Sequence, residues 1–469
     1  MARNRDTSMK SKIITLSTSL VLSCLSSQVF AAGFAIQEQN VTNLGLAYSG
    51  TGALAEDAST TFYNPAGLTR LNESEIVLSG IIIQGDFDFT ASSATTSLPA
   101  VAGTTTAAVP GGNTDDPGTV AFVPATYISK RIDERWVFGF SINTPFGLDT
   151  EYQEDGIARY LATNSSIKTL NFSPNIAYEW FPCLSFGIGP DALWGKADLE
   201  ARIGNGNAST DGFQKNHAQG WGYGWHAGVL WAPRTTTRLG LSYRSHVNFH
   251  AEGNSENLVP YSAVNAGLPV LLPIFPTQAG IYHIQRVRAD ITLPETWTLS
   301  LYHAFNECFA LTADAAWTNW SRFHTLRLRF DPGASFTTLT GTTAGLDSDT
   351  WEHFKDARRA ALGLIYTYNP NWQFKGGVQY DQSPIRGDFR TARLPDNDRY
   401  WLALGAGYTV NESVKIDVAY AHIFFKDSDI NEHAPFSANT VTPLTAATLS
   451  GSYEGNANIF GVQIRYDFV

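Results

Sequence analysis

The residues best placed to do chemistry in this chain are apolar, and the chemistry they suit is burial. Between Asn257 and Gln278 the sequence gathers Leu258, Val259, Leu268, Val270, Leu271, Leu272, Ile274 and Phe275. Apolar area concentrated in one segment marks a site for a hydrophobic ligand or a lid that packs on itself. A ligand with a methylene chain gains about 0.8 kcal/mol for each CH₂ it buries there. Reactive groups form no comparable pattern. His217, His226 and His246 lack metal-ligand spacing. Asp427-Ser428-Asp429 with Asn431-Glu432 lacks the glycine and spacing of a calcium loop, which leaves a solvated acidic segment. Gly222-Tyr223-Gly224 with Gly228 has the wrong spacing for a nucleotide loop. His422 and His433 have no paired nucleophile signature. The expectation is a binding or transport protein, not an enzyme, with no metal and no cofactor.

The elements that must carry such a site follow from composition. The 469 residues are 43% hydrophobic and 13% aromatic but only 16% charged, against about 25% for an ordinary soluble domain. Mean hydropathy is −0.14. No internal run of about 18 apolar residues exists, which excludes helical spans. Forty glycines, 28 Phe, 19 Tyr and 12 Trp favour strands. Lys10 and Lys12 before an apolar stretch, with Val29-Phe30-Ala31 at its end, predict a secretory leader over residues 1–31. Without it the chain holds 28 basic and 42 acidic groups, a balance that repels nucleic acid. Cys183 and Cys308 then remain in an oxidising compartment. The predicted strands place them too far apart for a disulfide, so both are expected free.

Hydrophobicity with a period of two runs through the chain. Phe460, Val462, Ile464 and Tyr466 alternate with Gly461, Gln463 and Arg465. Val414, Ile416, Val418 and Tyr420 alternate with Lys415 and Asp417, and Trp372, Phe374, Val378 and Tyr380 with Gln373, Lys375, Gln379 and Asp381. Fourteen strands are predicted, at 75–89, 120–130, 135–145, 167–180, 184–200, 220–232, 237–252, 281–304, 308–330, 351–369, 371–387, 397–411, 413–428 and 450–469. Short turns alternate with long Gly, Ser, Thr and Pro-rich loops, as in an outer-membrane barrel with tight periplasmic turns. Tyr400-Trp401, Tyr366 with Tyr368, and Trp317 with Trp320 are expected in the aromatic girdles. The fold class is all-β, a 14-stranded antiparallel transmembrane β-barrel over 75–469. Its lumen is too wide for side chains to fill, so residues 32–74 are expected to plug it as an N-terminal hatch.

That plug segment reads Gly33-Phe34-Ala35-Ile36-Gln37-Glu38-Gln39-Asn40, Gly45-Leu46-Ala47-Tyr48-Ser49-Gly50, Ala55-Glu56-Asp57-Ala58 and Asn64-Pro65-Ala66. Further blocks follow in order: Trp221-Gly222-Tyr223-Gly224-Trp225, Leu241-Ser242-Tyr243-Arg244-Ser245, Leu293-Pro294-Glu295-Thr296-Trp297, Trp320-Ser321-Arg322-Phe323, Phe354-Lys355-Asp356-Ala357, Asp381-Gln382-Ser383-Pro384 and Leu394-Pro395-Asp396-Asn397-Asp398-Arg399. Together they resemble the FadL/OmpP1/TodX family of outer-membrane transporters of hydrophobic compounds, nearest its long-chain fatty acid branch.

The resemblance implies a monomeric barrel in the Gram-negative outer membrane. It also implies passive, hatch-gated uptake and a kinked third strand whose side opening lies near the Asn64-Pro65-Ala66 hatch motif. Here that strand reaches Pro145-Phe146-Gly147, where Pro145 cannot donate to a ladder and Gly147 has no side chain. The same resemblance makes Leu258 to Phe275 a capture groove. Where the fatty acid transporters are basic, this chain has Ala201 and Thr350. Arg202 and Lys355 stand nearby as possible carboxylate partners, although a one-residue shift on a strand points a side chain to the other face. Expected partners are fatty acids or similar hydrophobic small molecules, outer-membrane lipid and lipopolysaccharide, and the barrel-assembly machinery. A monoaromatic or alkane channel of the same family is the alternative ligand reading. An outer-membrane adhesin or structural barrel is the alternative class.

Overall fold

The computed structural model describes residues 32–100, 103–203, 211–259, 281–331, 335–337, 343–345, 348–435 and 446–468. The expected leader therefore lies outside the described residues. Fourteen barrel strands follow in chain order: β1 (Ser74–Ala100), β2 (Val120–Arg131), β3 (Trp136–Asn143 and Gly147–Glu151), β4 (Asn164–Phe181), β5 (Leu184–Ile203), β6 (Gly212–Arg234) and β7 (Thr237–Arg244 and Val247–Val259). Then come β8 (Ile281–Leu293 and Thr296–Ala304), β9 (Phe309–Thr318 and Thr325–Phe330), β10 (Ser348–Trp351 and Ala357–Thr367), β11 (Trp372–Asp381), β12 (Arg399–Asn411), β13 (Val414–Phe425 and Ser428–Pro435) and β14 (Ala446–Phe468). Each pairs antiparallel with its sequence neighbours, and β1 pairs β14 from Ser74↔Phe468 to Thr96↔Ala447, which closes the barrel. Closure removes the exposed edge that hydrocarbon would not tolerate.

Alternation decides which face meets lipid. Phe460, Val462, Ile464 and Tyr466 are 45–55% exposed while Ile459 and Gln463, at alternate positions of the same strand, are fully buried. Pairs such as Trp136–Tyr178 (centroids 4.4 Å apart), Trp372–Tyr408 (4.6 Å) and Phe309–Tyr366 (4.9 Å) form the girdle near the short turns. Trp401 and Trp320 depart from the girdle expectation. Both are buried and point into the lumen, Trp401 against Tyr48 at 6.1 Å. Cys183 and Cys308 are exposed free thiols in separate short turns.

The strands outrun their expected ends on the long-loop side. There β1 continues to Ala100 and carries a short partner at Gly103–Ala108. Six strands are also interrupted: β3 at 144–146, β7 at 245–246, β8 at 294–295, β9 at 319–324, β10 at 352–356 and β13 at 426–427. Pro145 and Pro294 mark two of these points, where no N–H is available to the ladder.

The lumen holds residues 33–73. A helix α1 (Val41–Leu44) is capped by Asn40, whose side chain accepts from Asn43 N at 3.3 Å. A second, α2 (Thr60–Tyr63), leads to a 3₁₀ turn at Pro65–Arg70. Pro65 occupies its first position, where a missing N–H costs nothing, and Asn64 Oδ1 accepts from Ala66 N at 3.1 Å. The barrel makes room with inward glycines. A Cβ on Gly187 would lie 2.4 Å from Ala66 N, and one on Gly240 would lie 2.0 Å from Gly52 O.

Gly240→Val therefore displaces the plug and leaves the strands intact. The expected result is normal heat-modifiable barrel migration with raised single-channel conductance in planar bilayers; unchanged conductance contradicts the close packing.

Candidate functional site

The site begins at the interruption of β3. Below it, β2 pairs β3 from Thr126↔Ile142 to Arg131↔Val137. Above it, Gly147–Glu151 pairs with β4, and β2 from Val120 to Ala125 pairs with β1, so the wall ladder between β2 and β3 is open. The plug fills the gap from inside. Ile36 N donates to Pro145 O at 2.8 Å and Gly147 N donates to Phe34 O at 2.9 Å. Gln39 Nε2 donates to Thr144 O at 2.7 Å, and Thr144 N donates to Gln39 Oε1 at 3.0 Å. Ala35 and Phe146 thus form an antiparallel bridge. Backbone groups left without a partner here would each cost several kcal/mol, at a rough figure, in a lipid-facing wall.

Two cavities meet at this bridge. The upper, of about 110 Å³, is lined by Leu148, Ile167, Phe249, Val287, Ile291 and Leu326 among others. The lower, of about 170 Å³, reaches from Pro145 and Phe146 across to Thr298 and Thr318 and holds Arg244 and Arg359. Phe146 belongs to both. Between them lies an aromatic constriction centred on Phe34, with Trp320 at 4.9 Å, Phe323 at 5.5 Å and Phe146 at 6.0 Å. Phe354 backs it, 5.0 Å from Phe323. Gly33 sets the entry of this segment: its φ of +65° suits glycine, and its N–H donates to Asp396 Oδ2 at 3.0 Å.

Charged side chains dock the rest of the plug. Glu56 binds Lys375 Nζ at 3.0 Å and also pairs with Lys415, while Lys375 reaches Asp417 at 3.3 Å. Asp57 accepts from Thr42 Oγ1 and from Gln463 Nε2, both at 2.8 Å. Arg359 Nη1 donates to Gln37 Oε1 at 2.9 Å and to Tyr48 O at 3.1 Å. Burial pushes the Glu56 carboxyl upward, but the opposing Lys375 and Lys415 ammoniums prevail and hold it well below the usual carboxylate range. Glu38 is different. It is fully buried with both carboxylate oxygens unpartnered, and burial, offset only in part by Arg399, pushes it up to about 7.

The residues singled out from sequence fall in distinct places. Pro145, Phe146 and Gly147 form the break itself. Asn64, Pro65 and Ala66 do not meet it; Asn64 Nδ2 donates to Gly52 O at 2.6 Å and to Val229 O at 3.1 Å, against β6. The residues just before the motif, Phe62 and Tyr63, line the same lower cavity as Pro145 and Phe146, while Phe34–Gln39 makes the hydrogen bonds at the break itself. Leu258 and Val259 belong to β7, not to a loop. Leu268, Val270, Leu271, Leu272, Ile274 and Phe275 lie outside the described residues. Ala201 faces inward and is buried, so the neighbouring Arg202 is turned away, paired with Glu154. Lys355 sits in the β10 interruption, its N–H on Pro384 O. Neither lines a cavity described above. Arg393 does line the upper one, with Nη1 donating to Ser165 Oγ at 2.9 Å. It directly precedes the Leu394–Arg399 block, which was the one signal pointing to it.

A closed barrel with an outward apolar band, a docked plug and an apolar cavity above a gap in its wall defines a transport barrel of the Gram-negative outer membrane. The chain belongs to the family of outer membrane protein transport proteins (OMPP1/FadL/TodX), whose model matches residues 22–468. It is 30% identical to the long-chain fatty acid transport protein of Escherichia coli O6:H1, over 98% of this chain and 100% of that one. Outer membrane protein P1 of Haemophilus influenzae is 24% identical, over 93% and 95%. Among solved structures, a Pseudomonas aeruginosa FadL homologue superposes with a TM-score of 0.78 at 22% identity, over 93% of this chain and 100% of that one. The Pseudomonas putida toluene transporter TodX gives 0.64 at 16%, over 92% and 98%.

The two carboxyls make plug docking depend on pH with opposite signs. Below about 4.5 an undocked Glu56 is protonated while the docked one stays ionised, so docking weakens as pH falls. Between about 4.5 and 7 an undocked Glu38 ionises first, so docking weakens as pH rises through that window. Hydrogen exchange in residues 38–59, corrected for intrinsic rates, is expected to be slowest near pH 4.5. Glu56→Gln should abolish the acid limb and Glu38→Gln should flatten the rise toward pH 7.

Proposed function

We propose that the protein imports long-chain fatty acids, or closely similar hydrophobic carboxylates, by passive diffusion gated by the plug. The supporting observation is the stacking of an apolar cavity on the β3 gap, with Phe34 between them. A ligand leaving water for the upper cavity gains free energy with each buried CH₂. Arg393 at its wall suits an anionic head, because a charge-assisted hydrogen bond is strong where water is scarce. Withdrawal of Phe34–Gln39 from the break would join the lower cavity to the membrane through the wall at Pro145-Phe146-Gly147. The fatty acid transporters among its relatives support this choice of ligand over the toluene transporters.

Locking the bridge tests the gate. Cα atoms of directly opposed antiparallel residues lie about 4.5–5.5 Å apart, within disulfide reach. In an Ala35→Cys/Phe146→Cys double variant with Cys183 and Cys308 changed to serine, oxidised cells should take up labelled oleate at background rate. Reduction should restore uptake. Equal uptake in both states rules out this gate. For the head group, Arg393→Gln should weaken oleate binding about tenfold or more and leave toluene binding unchanged, while Arg393→Lys keeps part of the oleate affinity.

A further inference from the structure

A third cavity, of about 220 Å³, lies at the opposite end of the lumen. Leu54, Ala55 and Glu56 of the plug form its roof, and its wall comes from the turn ends of β7 to β11. Those turns are the short ones, so the cavity faces the periplasm. Its notable occupant is Arg238. The guanidinium lies over the Tyr302 ring, Cζ 4.1 Å from the centroid. Nε is shielded from solvent and has no partner. No ion pair or hydrogen bond joins the Arg238 side chain to any described residue. Gln373 Oε1, in the same wall, is likewise buried without a partner.

Buried polar groups are almost always satisfied, and an orphaned one needs a reason. The other inward cations in this half of the barrel have theirs: Lys375 and Lys415 hold Glu56, and Arg465 Nη1 donates to Glu56 O at 3.0 Å. Glu56, the carboxylate in the roof, is thereby already engaged. Stacking on Tyr302 fixes the plane of the Arg238 guanidinium and leaves its N–H edge free, the geometry that receives a carboxylate with two parallel hydrogen bonds. Leu54, Ala310 and Ile365 beside it offer an apolar wall for a short stretch of chain.

The geometry points to a second carboxylate site, on the periplasmic side of the plug, in which Arg238 holds the head of an amphiphilic carboxylate. The ligand class rests on the fatty acid reading above; the site itself does not require that the ligand arrive by any given route.

Cys308 lines this cavity as an exposed free thiol, whereas Cys183 lies in the turn between β4 and β5. The two therefore report differentially on one molecule. The folded protein in lipid nanodiscs is alkylated with a maleimide, with decanoate or decanol present, and each thiol is followed by mass spectrometry. Decanoate should slow modification of Cys308 several-fold and leave Cys183 unchanged. Decanol, with the same chain and no charge, should protect neither. Arg238→Gln should abolish the protection and Arg238→Lys should retain part of it, both with normal heat-modifiable migration. Equal protection by decanol, or undiminished protection in Arg238→Gln, overturns the site. Oleate uptake is read separately in cells. Normal uptake without Cys308 protection rejects this site alone, while protection without uptake supports the site and rejects the transport reading alone.

Discussion

A peptide group facing hydrocarbon must find its hydrogen-bond partner within the protein, and the rest of this structure depends on how that is met at β3. The wall is complete wherever neighbouring strands run in register. At Thr144–Phe146 it is not, and the missing partners come from Phe34, Ile36 and Gln39 of the plug. The segment that stops the lumen is thus also the segment that completes the wall. Any movement of Phe34–Gln39 away from Thr144–Phe146 therefore opens both.

The plug is held by two kinds of contact with different consequences. Close approach of Gly187 to Pro65 and Ala66, of Gly228 to the Asn64 side chain and of Gly240 to Gly52 leaves no room for side chains and fixes the position of Gly52 and Asn64–Ala66. The ion pairs of Glu56 with Lys375 of β11 and Lys415 of β13, and the hydrogen bond from Gln463 of β14 to Asp57, hold the middle of the plug. The leading segment from Gly33 to Gln39 relies instead on aromatic packing and on hydrogen bonds, among them Gly33 N to Asp396 Oδ2, Arg359 Nη1 to Gln37 Oε1 and Gln39 Nε2 to Thr144 O. It contains Glu38, a carboxyl buried without a partner. Rigid anchoring at one end and a costly buried group at the other fit a plug that moves by its first residues while the remainder stays.

Much of the fold was legible because a barrel writes its period into the chain. The outward positions of β11, β13 and β14 follow the alternation residue for residue, as Phe460, Val462, Ile464 and Tyr466 illustrate. The aromatic girdle was less legible. Trp401 sits beside Tyr400 in sequence, yet a strand turns them to opposite faces, and Trp401 serves the plug while Tyr400 meets lipid. The strand extensions above the membrane were missed for a related reason: their polar, threonine-rich composition reads as loop until a partner strand is present to pair with.

The site divides along the same line. Composition and period determined a charge-poor, aromatic barrel with a plugged lumen, because lipid constrains every second side chain wherever a strand lies. The weakness of the ladder at Pro145 was also fixed locally, since proline lacks an N–H in any fold. Only the tertiary structure decided what meets that weakness. Ala35 and Phe146 are far apart in the chain, and no local rule links them. It likewise turned Arg202 outward to Glu154 and placed Arg393 in the apolar cavity and Arg238 in the periplasmic mouth, because the position of a cation depends on which strands and plug residues close around it.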